Sequence, residues 1–110
     1  MKRLTLNEQI YLLAIFRLKE GAYGVQIRNM IVKMTSSNVM FGTIYNTLDS
    51  LAQKGFVQTI RKEPPVTKKG NKRVYYSITP SGLKALKEAR ELQESIWKGI
   101  SDSALVSYEE

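Results

Sequence analysis

The sequence predicts an α+β domain that is mostly α: three helices, a two-stranded hairpin and a long final helix. Three observations predict it. Apolar residues recur at helical spacing in three stretches before Gly55. A run of β formers and an alternating strand then flank a segment rich in Lys and Arg. Thr79-Pro80 finally opens a helical pattern that lasts to about Lys98. At 110 residues, 43% hydrophobic and 25% charged, the chain has the size and composition of one globular domain with one core.

The first helix is announced by Thr5-Leu6-Asn7-Glu8, a capping box in which hydroxyl and carboxylate each satisfy a backbone N–H. Leu6, Ile10, Leu13 and Arg17 share one face, and Tyr11, Ala14, Ile15 and Leu18 share another. That apolar arc is too wide for a helix covered on one side. Either the helix is buried all round, or it packs on its own core and also on a partner. Gly21 to Gly24 break the chain, and a second helix follows to about Met34, with Ile27, Met30, Ile31 and Met34 on its buried stripe. Thr35-Ser36-Ser37-Asn38 is a polar turn. The third helix opens at Gly42-Thr43 and buries Ile44, Leu48 and Leu51, with Gly55 placed to cap its end.

Residues 56–63 favour a strand, and Pro64-Pro65 stop it. Residues 66–72 read as a loop around Gly70-Asn71, and 74–78 as a half-buried strand with Val74, Tyr76 and Ile78 inward. On the last helix, Ala85, Ala89, Leu92 and Ile96 are spaced as a short coiled-coil-like seam. Residues 99–110 are polar and acidic and are expected to fray. Helix, turn, helix and then a basic hairpin is the order of a winged helix-turn-helix. The expected division is a winged-helix DNA-binding part over 4–79, a dimerisation helix over 80–98 and a tail over 99–110.

Charge and missing residue types narrow the function. With no Cys and no His, disulfides, thiolate chemistry and imidazole ligands are excluded. The acids are scattered or lie on a solvated helix, so the sequence points to no enzyme, metal site or cofactor. The longest early apolar run, 10–16, is too short to span a bilayer, and Asn7, Glu8 and Gln9 interrupt any signal-peptide core, so a soluble cytoplasmic protein with no membrane partner is expected. The net charge is +7, and most of the excess sits in residues 54–73, where seven cations face Glu63 alone. A field concentrated in one segment attracts polyanions.

A helix can enter the major groove and present short polar side chains to base edges while a basic hairpin meets phosphates. The residues read as DNA-binding on the third helix are Thr43, Tyr45, Asn46 and Ser50. Tyr23, Ser37 and Asn38 in the turns, and Arg61, Lys68, Lys69, Lys72 and Arg73 in the wing, complete the set. Ile10, Leu13, Ala85, Ala89, Leu92, Ile96 and Trp97 are read as a homodimer interface, with Trp97 as its anchor. A winged-helix protein-interaction module that binds no DNA is the alternative, since fold does not fix function. The cluster of wing cations argues against it.

Three blocks, Tyr23-Gly24, then Gly42-Thr43-Ile44-Tyr45 through Leu48 and Leu51 to Gly55-Phe56-Val57, then Tyr75-Tyr76-Ser77-Ile78-Thr79-Pro80-Ser81-Gly82, stand in an order and spacing that resemble the PadR family of bacterial transcription regulators. The single short C-terminal helix resembles the compact subgroup of that family. The resemblance implies a winged-helix homodimer that represses promoters on double-stranded DNA, with the C-terminal helix crossing to the partner subunit. It also implies that some members are released from DNA by a small hydrophobic, often aromatic, effector bound near the dimer interface.

Overall fold

The computed structural model describes residues 3–62 and 73–106. Its elements are α1 (Leu6–Leu18), α2 (Gly24–Thr35), α3 (Phe41–Gln53), β1 (Val57–Lys62), β2 (Arg73–Ile78), α4 (Pro80–Trp97) and α5 (Asp102–Val106), with a single 3-10 turn at Lys19–Gly21 between α1 and α2. The α+β, mostly helical architecture is that of a winged helix-turn-helix, and β1 and β2 form its antiparallel wing.

Local chemistry sets the boundaries. The capping box forms as the sequence predicts: Glu8 N–H donates to Thr5 Oγ1 at 3.0 Å, and Thr5 N–H donates to Glu8 Oε1 at 2.8 Å. α3 ends on Gly55, whose φ of 79° is cheap only for glycine. Gly55 N–H then donates to the Ala52 carbonyl and Phe56 N–H to the Leu51 carbonyl, closing the helix with two paired orphan groups. Thr79 caps α4 by accepting from Gly82 N–H at 3.0 Å, and its hydroxyl donates to the Gly55 carbonyl at 2.6 Å. One threonine thereby starts α4 and ties it to the end of α3.

The core lies between α1, α2, α3 and the inner face of the wing. Leu12, Ile27, Ile44, Leu48 and Leu51 are fully buried in it, with Tyr11 and Ile15 nearly so. At roughly 1.5–3 kcal/mol per buried aliphatic side chain, this cluster is the main stabiliser of the fold. The wing pairs from Val57 opposite Ile78 to Lys62 opposite Arg73. Its inner edge is extended by the chain before α2: Tyr76 N–H donates to the Ala22 carbonyl at 2.8 Å, and Tyr23 bridges Tyr75. Tyr76 is buried as the strand alternation predicts.

Two features go beyond what the spacing predicts. Glu8 is more than a cap: it is buried, and Lys54 Nζ donates to its Oε2 at 2.6 Å. Lys54, counted with the basic segment, is therefore a partner of α1 rather than a free cation. The tail expected to fray contains the helical turn α5. Gly99, at φ 83°, breaks the chain away from α4, and Ser101 Oγ accepts from Ala104 N–H at 3.3 Å to start the new turn. Among the described residues no helix is long and apolar enough to cross a membrane, and no acidic cluster could hold a metal ion.

Candidate nucleic-acid interface

α3 has two sides of opposite character. Ile44, Leu48 and Leu51 face the core with no exposure, while Thr43 and Asn46 are exposed on the outer side. Both lie in the first two turns, where a helix presents side chains to a groove. Ser50, one turn further on, is half-buried and less available. Asp49, the one acid of α3, acts electrostatically on the buried Tyr76 of the wing. Burial, Asp49 and Tyr45 together push the Tyr76 phenol up, so it stays neutral.

The helix is held at its N-terminal end by residues that the sequence reading did not single out. Arg28 Nε donates to the Val39 carbonyl at 2.9 Å, and its guanidinium lies 5.0 Å from the centre of the Phe41 ring. One arginine of α2 thus fixes both the turn and the first residue of α3. Met40, at the N-cap, is 79% exposed, the most exposed large apolar side chain among the described residues. Beside Thr43 it adds an apolar surface of the kind that meets a thymine methyl. Its only sequence signal was position, an apolar residue directly before a polar helix face.

Tyr45 packs across the start of α2. A Cβ on Gly24 would stand 2.8 Å from Tyr45 Cζ, so the glycine is what lets the two helices approach this closely. The ring remains 45% exposed. The same region joins the wing. The Arg73 guanidinium sits 4.5 Å from the centre of the Tyr23 ring, and Tyr23 meets Tyr75 edge-on at 5.3 Å. Gln26 Nε2 donates to the Tyr23 hydroxyl at 3.2 Å. The structure therefore brings Tyr23 and Arg73 together as one stacked unit that ties the start of β2 to the start of α2. Ser37 and Asn38 are exposed in the turn, with Ser37 N–H donating to Thr35 Oγ1 at 3.3 Å. Arg61 is exposed on β1, and Lys68, Lys69 and Lys72 lie outside the described residues.

The order of helices and two-stranded wing is matched by known proteins. The sequence model of the PadR-like family of transcriptional regulators matches residues 12–88. The chain belongs to that family. Among solved structures, a PadR-like transcriptional regulator from Bacillus cereus is 26% identical, with a TM-score of 0.68 over 83% of this chain and 84% of that one. A transcriptional regulator from Clostridium thermocellum is 25% identical, with a TM-score of 0.66 over 94% and 92%. F93 from STIV, a winged-helix DNA-binding protein, shares the fold at 21% identity and a TM-score of 0.64, over 89% and 98%. No protein of curated function has a significantly similar sequence.

In this PadR-like chain the residues read as a dimer interface fall into two groups. Ile10, Ala85 and Ala89 are half-buried against the chain's own core. With Leu92, the two alanines line a cleft of about 340 Å³ closed by Arg3 and Leu4. Leu13, Ile96 and Trp97 are exposed, at 41%, 59% and 50%. The spacing of the seam on α4 is helical, but spacing alone did not say that half of it turns inward.

Proposed function

We propose that this PadR-like regulator is a homodimeric, sequence-specific repressor that binds a pseudo-palindromic operator. α3 reads base edges with Thr43 and Asn46, while Ser37, Asn38 and the wing cations Arg61, Lys68, Lys69 and Lys72 meet phosphates. Tyr45 packs beside the reading face, Ser50 flanks it, and Tyr23 with Arg73 holds the start of β2 next to it. The observation that carries this reading is the two-sided α3: its inner face is wholly buried, so its outer polar face is held in one orientation. Rigid presentation of hydrogen-bonding side chains is what base readout requires, whereas the cations suit backbone contacts.

The second copy would cover the apolar residues that the single chain leaves open, namely Leu13 on α1 and Ile96 and Trp97 at the end of α4. Two-fold symmetry then places two copies of α3 on half-sites one helical turn, or a multiple of it, apart. A small hydrophobic effector would enter the apolar pocket of about 450 Å³ between Phe16, Ile60, Tyr75 and Leu83, where α1, the wing and α4 meet. Occupancy there would move the wing relative to α1.

Footprinting on the DNA upstream of the protein's own gene tests the proposal. A protected region with two inverted half-sites is expected. Binding should be salt-steep: about three cations per subunit meeting phosphates give a slope of log K against log salt of roughly −5. Neutralising Lys68, Lys69 and Lys72 together should flatten that slope on every sequence. An unchanged slope would take the wing off the DNA and favour a protein-interaction module.

A further inference from the structure

α1 and α4 each begin on a threonine whose hydroxyl accepts from the backbone N–H three residues on. α3 begins instead on Met40, whose side chain makes no such cap. That side chain is also left in water, at 79% exposure. A methionine is doubly out of place here: the position favours a short polar cap, and an apolar side chain gains by leaving water. Local conflicts of this kind concentrate where a residue serves function. We propose that Met40 is a specificity-determining residue, packing its side chain on the methyl group of one thymine in each operator half-site.

The proposal rests on the DNA-binding reading above and adds a residue to it. Position, rigidity and chemistry together select the thymine methyl. Met40 stands three residues before Thr43, and both are exposed, so a surface that meets Thr43 meets Met40 beside it. Arg28 holds the residue on each side of Met40: its Nε donates to the Val39 carbonyl at 2.9 Å, and its guanidinium lies 5.0 Å from the centre of the Phe41 ring. Ile44 N–H donates to the Met40 carbonyl itself at 3.1 Å. The backbone of Met40 is therefore fixed while its side chain is open, which places an adaptable thioether at a set point on the reading face. Phe41, the other exposed apolar residue at this end of α3, is already engaged by Arg28. In the major groove the apolar group that the standard base edges present is the thymine C5-methyl. An uncharged, flexible side chain next to the Thr43 hydroxyl fits a thymine edge and offers little to guanine or cytosine. The apolar residues that the second copy would cover, Leu13, Ile96 and Trp97, lie on α1 and α4, so dimerisation does not draw on Met40.

Deoxyuridine pairs as thymidine does and lacks only the methyl group. Replacing thymines of the footprinted operator with it, one symmetry-related pair at a time, therefore isolates that group. The affinity of the full-length protein for each duplex would be measured at one salt concentration. Wild type is expected to lose about fifteenfold at one such pair, or about fourfold for the methyl of each half-site. Met40→Ala should bind the unmodified operator more weakly by at least as much and lose nothing further at that pair, while responding as wild type does at the other thymines. Its far-UV circular dichroism should match that of wild type, because the side chain is exposed. Wild type that is indifferent to every replacement overturns the proposal. So does a Met40→Ala variant that keeps the whole response at every pair, which would assign the response to DNA shape or to another side chain. Either result leaves the DNA-binding reading standing, because the operator is still bound. Wild type that binds operator and scrambled DNA alike overturns both.

Discussion

The first 80 residues and the last 15 solve opposite problems. In the body, Leu12, Ile27, Ile44, Leu48 and Leu51 lose all contact with water, and even the charged Glu8 is buried with a partner. In the arm, Trp97 keeps half its surface and α5 has no buried residue. Hydrophobic content is not what separates them, because both are rich in large apolar side chains. The difference is where the covering surface comes from. Three helices and a wing can enclose a core by themselves, whereas a helix projecting from one side can only be covered by another molecule. The body's stability should therefore be a property of one chain, and the arm's a property of two.

The largest effect that would break this contrast is in the body. Leu48→Ala should cost about 2–5 kcal/mol, because it leaves a void at a site with no exposure. Urea unfolding followed by circular dichroism would read it, and the loss should not depend on protein concentration. Trp97→Ala is the counterpart in the arm. It should weaken dimerisation by about 10–100-fold in sedimentation, with any drop in unfolding temperature shrinking as protein concentration rises. An equal drop at all concentrations would mean that Trp97 serves its own chain.

Glu8→Gln gives a smaller effect and sharpens the account of the body. Burial pushes the Glu8 carboxyl up, but the Lys54 ammonium and the Thr5 backbone N–H outweigh it and hold the carboxyl below its ordinary value. A folded-state value below the unfolded one adds stability that is fully present above the unfolded value. That stability is lost as pH falls through the folded value. The Gln variant should be about 1–3 kcal/mol less stable than wild type at pH 7, with Lys54 partly exposed and so partly screened. The gap should close as pH drops below about 4. Denaturant midpoints at pH 7 and pH 3 for both proteins decide it.

Much of the fold was legible because local chemistry wrote it twice. Thr5 with Glu8, Gly55 after α3 and Thr79-Pro80 before α4 each mark a boundary that the apolar spacing marks independently. The contacts that join elements were not legible. Lys54 and Glu8 are 46 positions apart, and nothing in the spacing of either announces the other. Arg28 carries no signal of its own in the sequence, yet it holds the turn that aims α3. Ala85 and Ala89 were read correctly as a stripe, but a stripe does not say whether its partner is the same chain or another. Thr43 and Asn46 were legible as an outward face, because their apolar neighbours on α3 define the inward one.

The smallest stability effect lies where body and reading face meet. Gly24→Ala should displace the Tyr45 ring at a cost of about 1 kcal/mol, since a half-exposed ring can move aside. Combining it with Tyr45→Ala should recover most of that loss, because the clash then has no second member. Thermal melts of the two single variants and the double variant would measure the coupling.

The central claim is that the outer face of α3 reads sequence while the wing supplies affinity. Asn46→Ala tests it most directly, because Asn46 is exposed and its loss leaves the core untouched. Affinity would be measured on the footprinted operator and on scrambled DNA of equal length, at one salt concentration. The account predicts a loss of about 1–3 kcal/mol on the operator and almost none on the scrambled duplex. An equal loss on both would contradict it and reduce α3 to a positioning element.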